Sequence, residues 1–345
     1  MKNYPFYQHK NKLTTASALE DFTYQTPEIN PSEQATEYEA DESLIAAVNT
    51  ALLLGKPLLL TGDTGTGKTS LAASVAYQLK LTTPLIFNCK STSQAQDLFY
   101  HYDALRHYRA EKIAGHKDDV LKFIQFNALG IAIINSHNQH HLQAHLSLEY
   151  QSKSAQRHVV LIDEIDKTPR DFPNDLLHEI DHYCFQLREW GNQQISVQAQ
   201  YKPVVIITSN SEKNLPDAFM RRCIYHHIEF PQTDLLLNIA LGHLSRLYQK
   251  DDLLLHQAIK LFLYLRQQNL NKKPATAELI DWLKILANDE IFAGFDKSQR
   301  IQQDNPSLRD SLNCLLKNHQ DRQLILGDND ETGLLDEWFN QESKK

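Results

Sequence analysis

A chain of 345 residues, 41% apolar and 23% charged, has the composition of a soluble globular protein and the length for two domains or one core with a substantial appendage. Lys and Arg total 35 against 43 Asp and Glu, a formal charge of −8, which argues against a main affinity for a phosphate backbone but leaves room for a local basic groove. Cys89, Cys184, Cys223 and Cys314 form no Cys-x-x-Cys pair and read as reduced thiols of a cytoplasmic protein without a zinc site. No apolar run approaches membrane-spanning length, and the first six residues lead into no signal-peptide core.

Residues 1–40 are polar, carry Pro5, Pro27 and Pro31, and read as an extended arm. Asp41 is placed to cap a helix whose apolar face holds Leu44, Ile45, Val48, Leu52 and Leu53, and Gly55 ends it. That helix delivers the chain to a glycine loop. Its start (Tyr38, Glu39, Ala40) therefore lies beside a nucleotide base, or the helix simply covers a sheet edge.

Residues 57–60 (PLLL) form a short buried strand, and 70–76 (SLAASVA) continue as a helix. Between them Gly62-Asp63-Thr64-Gly65-Thr66-Gly67-Lys68-Thr69 satisfies G-x-x-x-x-G-K-[ST] at every required position. The glycines let backbone N–H groups converge on one anion. Lys68 then reaches the outer phosphates of a nucleoside triphosphate, and Thr69 offers its hydroxyl to Mg²⁺ at the positive end of the helix.

A second strand is expected over 84–88 (PLIFN). Residues 91–156 contain helical stretches at 120–124 and 128–132, followed by polar, His-rich sequence. His141 and His145 have the spacing of a helical metal pair, with His140 adjacent, but no carboxylate or Cys completes a ligand set. A solvated helix face is the expectation there. The third strand, 158–162 (HVVLI), ends in Asp163-Glu164-Ile165-Asp166-Lys167. Following a phosphate loop, Asp163 suits the Mg²⁺ shell, and Glu164 is placed to orient or deprotonate an attacking water.

Residues 172–180 read as a helix, and 185–197 as a β-hairpin turning at Trp190-Gly191-Asn192. A fourth strand, 204–210, carries Asn210 at its tip, either to bond the γ-phosphate or the attacking water or to start the next turn. A short apolar helix within 215–223 precedes Arg221 and Arg222, then a fifth strand, 224–230, stops at Pro231. From Thr233 onward the pattern is helical. The domains are therefore an arm (1–40), a nucleotide-binding core (41–231), and a helical domain with its tail (232–345). In that tail the acidic run Asp328-Asn329-Asp330-Glu331 precedes an apolar face of Leu334, Leu335, Trp338 and Phe339, which docks on its own domain or on a neighbour.

With these residues assembled, the chain resembles an AAA+ ATPase, and within that superfamily the MoxR-type group of the helix-2-insert clade. The resemblance covers roughly residues 36–290. It rests on Gly62 to Thr69 (Walker A), Val159 to Glu164 (Walker B), Thr208-Ser209-Asn210 (sensor 1), and Leu215-Pro216-Asp217-Ala218-Phe219-Met220-Arg221-Arg222-Cys223. It implies an α/β P-loop NTPase fold, an αβα core with a parallel five-stranded sheet followed by an α-helical lid, with ATP and Mg²⁺ as cofactors. It also implies a homo-oligomeric ring, a hexamer, each site being completed by an arginine of the next subunit. Arg222 aligns with that finger and Arg221 is the reserve. Lys273, in Lys272-Lys273-Pro274-Ala275-Thr276, stands where the group carries a sensor 2 arginine, and it lacks the bidentate fork. The group works on protein partners, often ones with a von Willebrand factor A domain. Two other classes stay open: a nucleic-acid motor or loader, disfavoured by the acidic balance, and a slowly hydrolysing signalling switch.

Overall fold

The computed structural model describes residue 38 and residues 40–114, 119–138, 141–210, 213–288, 295–327 and 332–342. The expectations for the arm before Tyr38, for Glu39, for His140 and for Asp328 to Glu331 lie outside them. The described residues fall into two compact units, one running from Tyr38 to Asp63 and from Gly67 to Glu229, the other from Phe230 onward together with Thr64–Thr66.

The first unit is built on five parallel strands, β1 (Leu58–Thr61), β2 (Leu85–Asn88), β5 (Val159–Asp163), β8 (Val204–Ser209) and β9 (Ile224–His227), in the spatial order β2, β5, β8, β1, β9. Successive side chains of a strand point to opposite faces, and in the central strands β1, β5 and β8 both faces are buried. Leu58, Leu60, Val159, Leu161 and Ile206 pack with Leu71 and Val75 on one side. Leu59, Val160, Ile162, Val205 and Ile207 join Leu129, Ile133 and Phe172 on the other. Two dry faces are why the central strands β1, β5 and β8 read as unbroken Val/Ile/Leu runs instead of alternating ones, whereas β2 and β9 at the sheet's two edges leave Ile86 and Tyr225 exposed.

Helix α1 (Glu42–Leu54) is capped as expected. The Asp41 carboxylate accepts from Leu44 N at 2.8 Å, and Gly55 takes φ 59°. The Ser43 hydroxyl and Leu44 N–H hold that carboxyl below its usual range. Its buried face is narrower than expected: Leu44 and Ala51 are buried, whereas Ile45 is 49% and Leu53 86% exposed.

After helix α2 (Lys68–Gln78) the segment 91–156 departs from expectation. It holds a two-stranded antiparallel ladder, β3 (Tyr100–Tyr102) with β4 (Ile124–Phe126), and helix α3 (Ala104–Ala114) between them. Residues 120–124 are not one helix: Val120–Phe123 is a 3₁₀ turn and Ile124 begins β4. Helix α4 (Ala128–Ile134) is buried at every position. It packs so closely on the backbone of Phe99 that a Cβ on Gly130 would lie 2.1 Å from that carbonyl oxygen. His141 and His145 fall on a 3₁₀ turn instead of an α-helical face, and the His141 ring lies 5.1 Å from that of Trp190.

The expected helix at 172–180 is broken at Leu176 into α5 (Phe172–Asp175) and α6 (Leu177–His182). The hairpin, β6 (Cys184–Leu187) with β7 (Gln193–Ser196), turns through Gly191 and Asn192, both at positive φ. Helix α7 (Asp217–Met220) leads into β9.

The second unit is helical: α8 (Thr233–Leu244), α9 (Leu253–Gln267), α10 (Thr276–Leu286), α11 (Pro306–Ser311), α12 (His319–Leu326) and α13 (Leu334–Glu342). Its core holds Leu255, Phe262, Trp282 and Leu312, and it includes Leu335, Trp338 and Phe339 from the last helix. The apolar face of that tail is thus spent on its own unit. Buried Trp282 donates its indole N–H to Ser311 Oγ at 2.9 Å. All four cysteines are free thiols. Among the described residues no helix is long and apolar enough to cross a membrane.

Candidate nucleotide site

Strand β1 ends at Thr61 and the chain turns into the glycine loop. Gly62, Gly65 and Gly67 sit at φ 146°, 80° and 83°, conformations that a Cβ disfavours. Asp63, Thr64 and Gly65 are exposed, and Thr66 is buried. Lys68, the first residue of α2, is buried and donates from Nζ to the carbonyls of Gly62 and Asp63, each at 2.8 Å. Burial pulls its pKa down, while Asp63, Asp166, Asp163 and Glu164 pull it back up. Tyr38 lies against the loop, its ring edge 3.1 Å from where a Cβ on Gly67 would stand. Burial, then the charge of Asp41, pushes the Tyr38 phenol up to about 12.

The sheet brings the second half of the site to this loop. Strands β5 and β8 pair with Ile162 beside Ile207, so the next positions, Asp163 and Thr208, are neighbours. Thr208 Oγ1 donates to Asp163 Oδ1 at 2.6 Å and accepts from Glu164 N at 2.8 Å. Thr69 Oγ1 donates to the same Asp163 oxygen at 3.0 Å. One hydroxyl therefore fixes both acidic residues, and Thr208, which carries it, is 1% exposed. In Thr208-Ser209-Asn210 the sequence points to Asn210 for chemistry, and the part played by Thr208 emerges only once β5 and β8 are paired. The available signal was a single hydroxyl near the end of an apolar strand.

Glu164 adopts φ 57°, ψ 53°, a left-handed conformation that turns its side chain away from the strand line. Asn210 Nδ2 donates to Glu164 Oε1 at 3.2 Å, and Asn210 N to buried Asp166 Oδ1 at 3.2 Å. Lys167 Nζ pairs with Glu164 Oε2. Thus Thr69, Asp163, Glu164 and Asn210 form one hydrogen-bonded cluster, with Lys68 within reach of its charges.

Cys89, just past β2, donates its backbone N–H to Asp163 O at 3.0 Å. Its thiol is pushed up to about 12, first by burial and then by Asp163, Asp166 and Glu164. A thiol held neutral in this way is no nucleophile.

Two groups of expected site residues are not in this cluster. In the parallel pairing of β1 and β9, Leu58 lies beside Ile224 and Thr61 beside His227. Arg222 thus precedes the amino end of β9, whereas the loop follows the carboxyl end of β1, about 10 Å along the strands at ~3.3 Å per residue. Arg222 Nε donates to Asp181 Oδ2 at 2.6 Å and Nη1 to Ala218 O at 2.9 Å. Arg221 is exposed and caps α7. Lys273 is exposed in the second unit, before α10. Its loop is held from both sides: Asp321 accepts from Asn271 N at 2.8 Å and Lys272 N at 3.0 Å. Arg266 donates to Pro274 O and lies 3.4 Å over the Phe230 ring. Arg266 is a buried cation inside an apolar helical run, where the sequence alone carries no signal for it.

A cleft of about 660 Å³, lined by Gln94, Tyr100, Asp171, Glu179 and Arg188 among others, includes none of the cluster residues.

Residues 57–223 match the profile of the AAA domain family, dynein-related subfamily. No curated protein matches the chain. Among solved structures, a mutant of Thermotoga maritima RuvB is similar at 15% identity over 81% of this chain and 71% of that one, with a TM-score of 0.46. The strand–loop–helix, the parallel five-stranded sheet and the helical region after it are those of an AAA+ P-loop fold.

Proposed function

We propose that this chain, whose residues 57–223 match an AAA domain, hydrolyses Mg²⁺-bound ATP and spends that energy on remodelling a partner protein. The observation that carries the reading is the closed set of bonds joining Thr69, Thr208, Asp163, Glu164 and Asn210. In that set a hydroxyl and a carboxylate, both hard oxygen ligands, converge at the amino end of α2. This donor set suits Mg²⁺, which prefers a few protein oxygens and keeps its waters.

Each residue's task follows from its place. The loop N–H groups and Lys68 bind the triphosphate, the lysine exchanging the carbonyls of Gly62 and Asp63 for phosphate oxygens. Thr69 and Asp163 would hold the cation, whose contribution is to neutralise charge on the phosphates. Glu164 takes the proton of the attacking water, and Asn210 orients the Glu164 carboxylate through Oε1.

Arg222 lies too far along the sheet to serve its own loop, and this supports a ring in which it completes a neighbour's site. The finer placement, a MoxR-type ring acting with a von Willebrand factor A partner, is supported by the Leu215 to Cys223 run, by the β6–β7 hairpin before β8, and by the insert that β3, α3 and β4 form. A net charge of −8 tells against nucleic acid as the working substrate.

Phosphate release from ATP tests the core of the reading. Wild type turns over only with Mg²⁺ present, and Glu164→Gln binds ATP but turns over at least ~10²-fold more slowly. Equal rates for the two proteins would remove Glu164 from the chemistry and the proposal with it. For the ring, mass photometry with a non-hydrolysable ATP analogue must show a closed oligomer.

A further inference from the structure

We infer that Lys167 is a positioning residue for the general base, an inference that rests on the hydrolytic reading above. Glu164 opens a 3₁₀ turn, Ile165–Lys167, and Lys167 N donates back to Glu164 O at 2.9 Å. The turn is anchored from beneath. Ile165 is fully buried, Asp166 is 2% exposed, and Thr168 Oγ1 donates to Ile165 O at 2.6 Å. Lys167 therefore leaves a fixed backbone three residues after Glu164, and its ammonium meets Glu164 Oε2.

The opposite oxygen, Oε1, takes the Asn210 amide at 3.2 Å. Among the described residues each carboxylate oxygen thus has one donor from its own side, the amide just past β8 and the ammonium from the turn. A carboxylate offers about four lone-pair positions, so two remain for the water. With Asn210 alone, the carboxylate would pivot about a single bond. The second donor removes that freedom and sets which lone pair faces the water, which is preorganisation of a reacting group.

Lys167 and Glu164 side chains are 45% and 35% exposed. A pair this open adds little to stability, so Lys167 variants fold and the effect shows in rate. Lys167→Met should lower kcat roughly fivefold, the scale of an exposed ion pair, with KM for ATP and thermal midpoint unchanged. Lys167→Arg, which keeps a donating cation, should restore kcat. In the Glu164→Gln background Lys167→Met should have no further effect, because its action runs through the base.

Wild-type or higher kcat in Lys167→Met, a loss carried by KM, equal impairment in both variants, or an additional loss on top of Glu164→Gln each overturns the inference. The two readings fail differently. Active wild type, inactive Glu164→Gln and unaffected Lys167→Met sinks Lys167 alone, whereas inactive wild type or active Glu164→Gln sinks both.

Discussion

Replacing Thr208 by valine removes one hydroxyl and almost no volume, yet that hydroxyl makes two bonds. It accepts from Glu164 N at 2.8 Å and donates to Asp163 Oδ1 at 2.6 Å. Thr208→Val leaves a backbone N–H beneath a 1%-exposed methyl group, and an unsatisfied buried donor costs about 1–3 kcal/mol. For a domain of this size that lowers Tm by roughly 2–10 °C. It also releases Glu164 from the bond that supports its left-handed conformation at φ 57°. Loss of a residue that orients reacting or ligating groups costs about 10- to 100-fold in activity. Nucleotide affinity should hold, because Lys68 and the loop glycines are untouched. The assay pairs steady-state ATP turnover with titration of a fluorescent nucleotide and a thermal melt. Thr208→Ser, which keeps the hydroxyl, should retain most of the activity. Wild-type turnover and wild-type Tm in Thr208→Val would refute the argument that this hydroxyl organises the site.

Gly67→Ala puts a Cβ at φ 83° and 3.1 Å from the Tyr38 ring, so it should lose about 1–2 kcal/mol of stability. Isothermal titration should also show weakened ATP binding. His158 is buried and neutral, its pKa pushed from 6.5 to about 4 by burial. Its Nε2 accepts from Asn135 and Gln156, so Nδ1 carries the proton toward Thr82 Oγ1. The unfolded chain binds this proton from pH 6.5 downward and the folded chain only near pH 4, so stability falls as pH drops through that window. The loss sums to ~3 kcal/mol. Urea unfolding of wild type against His158→Gln should show their difference shrinking by that amount between pH 7 and pH 4, and a constant difference would contradict it. Arg222→Ala should keep ATP affinity while losing ~10³-fold or more in kcat. Mixed with Glu164→Gln it should recover turnover, since one subunit then supplies the base and its neighbour the arginine. No recovery on mixing would end the trans assignment.

Much of the fold was legible because its signals are contiguous. The apolar runs of β1, β5 and β8, bounded by turn residues, marked strands within a residue or two of those found. Asp41 and Gly55 marked both ends of α1, since capping is a local matter of side-chain reach and backbone sign. The ladder of β3 and β4 was not legible. Its strands are three residues each, and Tyr100 meets Phe126 only after the intervening chain has folded back. The exposed Ile45 and Leu53 of α1 show the same limit, because periodicity marks an apolar stripe but not how much of it a neighbour covers.

The site divides along the same line. By itself the order of residues determined that a phosphate loop runs from Gly62 to Thr69 and that two carboxylates, Asp163 and Glu164, end a buried strand. Those properties reside in a few adjacent residues, whose backbone freedom and charge follow from their types. Only the tertiary structure decided that Thr208 bridges the two acidic residues, that Asn210 and Lys167 divide the Glu164 oxygens, and that Arg222 stands at the far end of the sheet. Each depends on which strands are neighbours, in what register, or on how one turn is packed. Strand order is settled by the burial of whole faces, and no single stretch of the chain contains it.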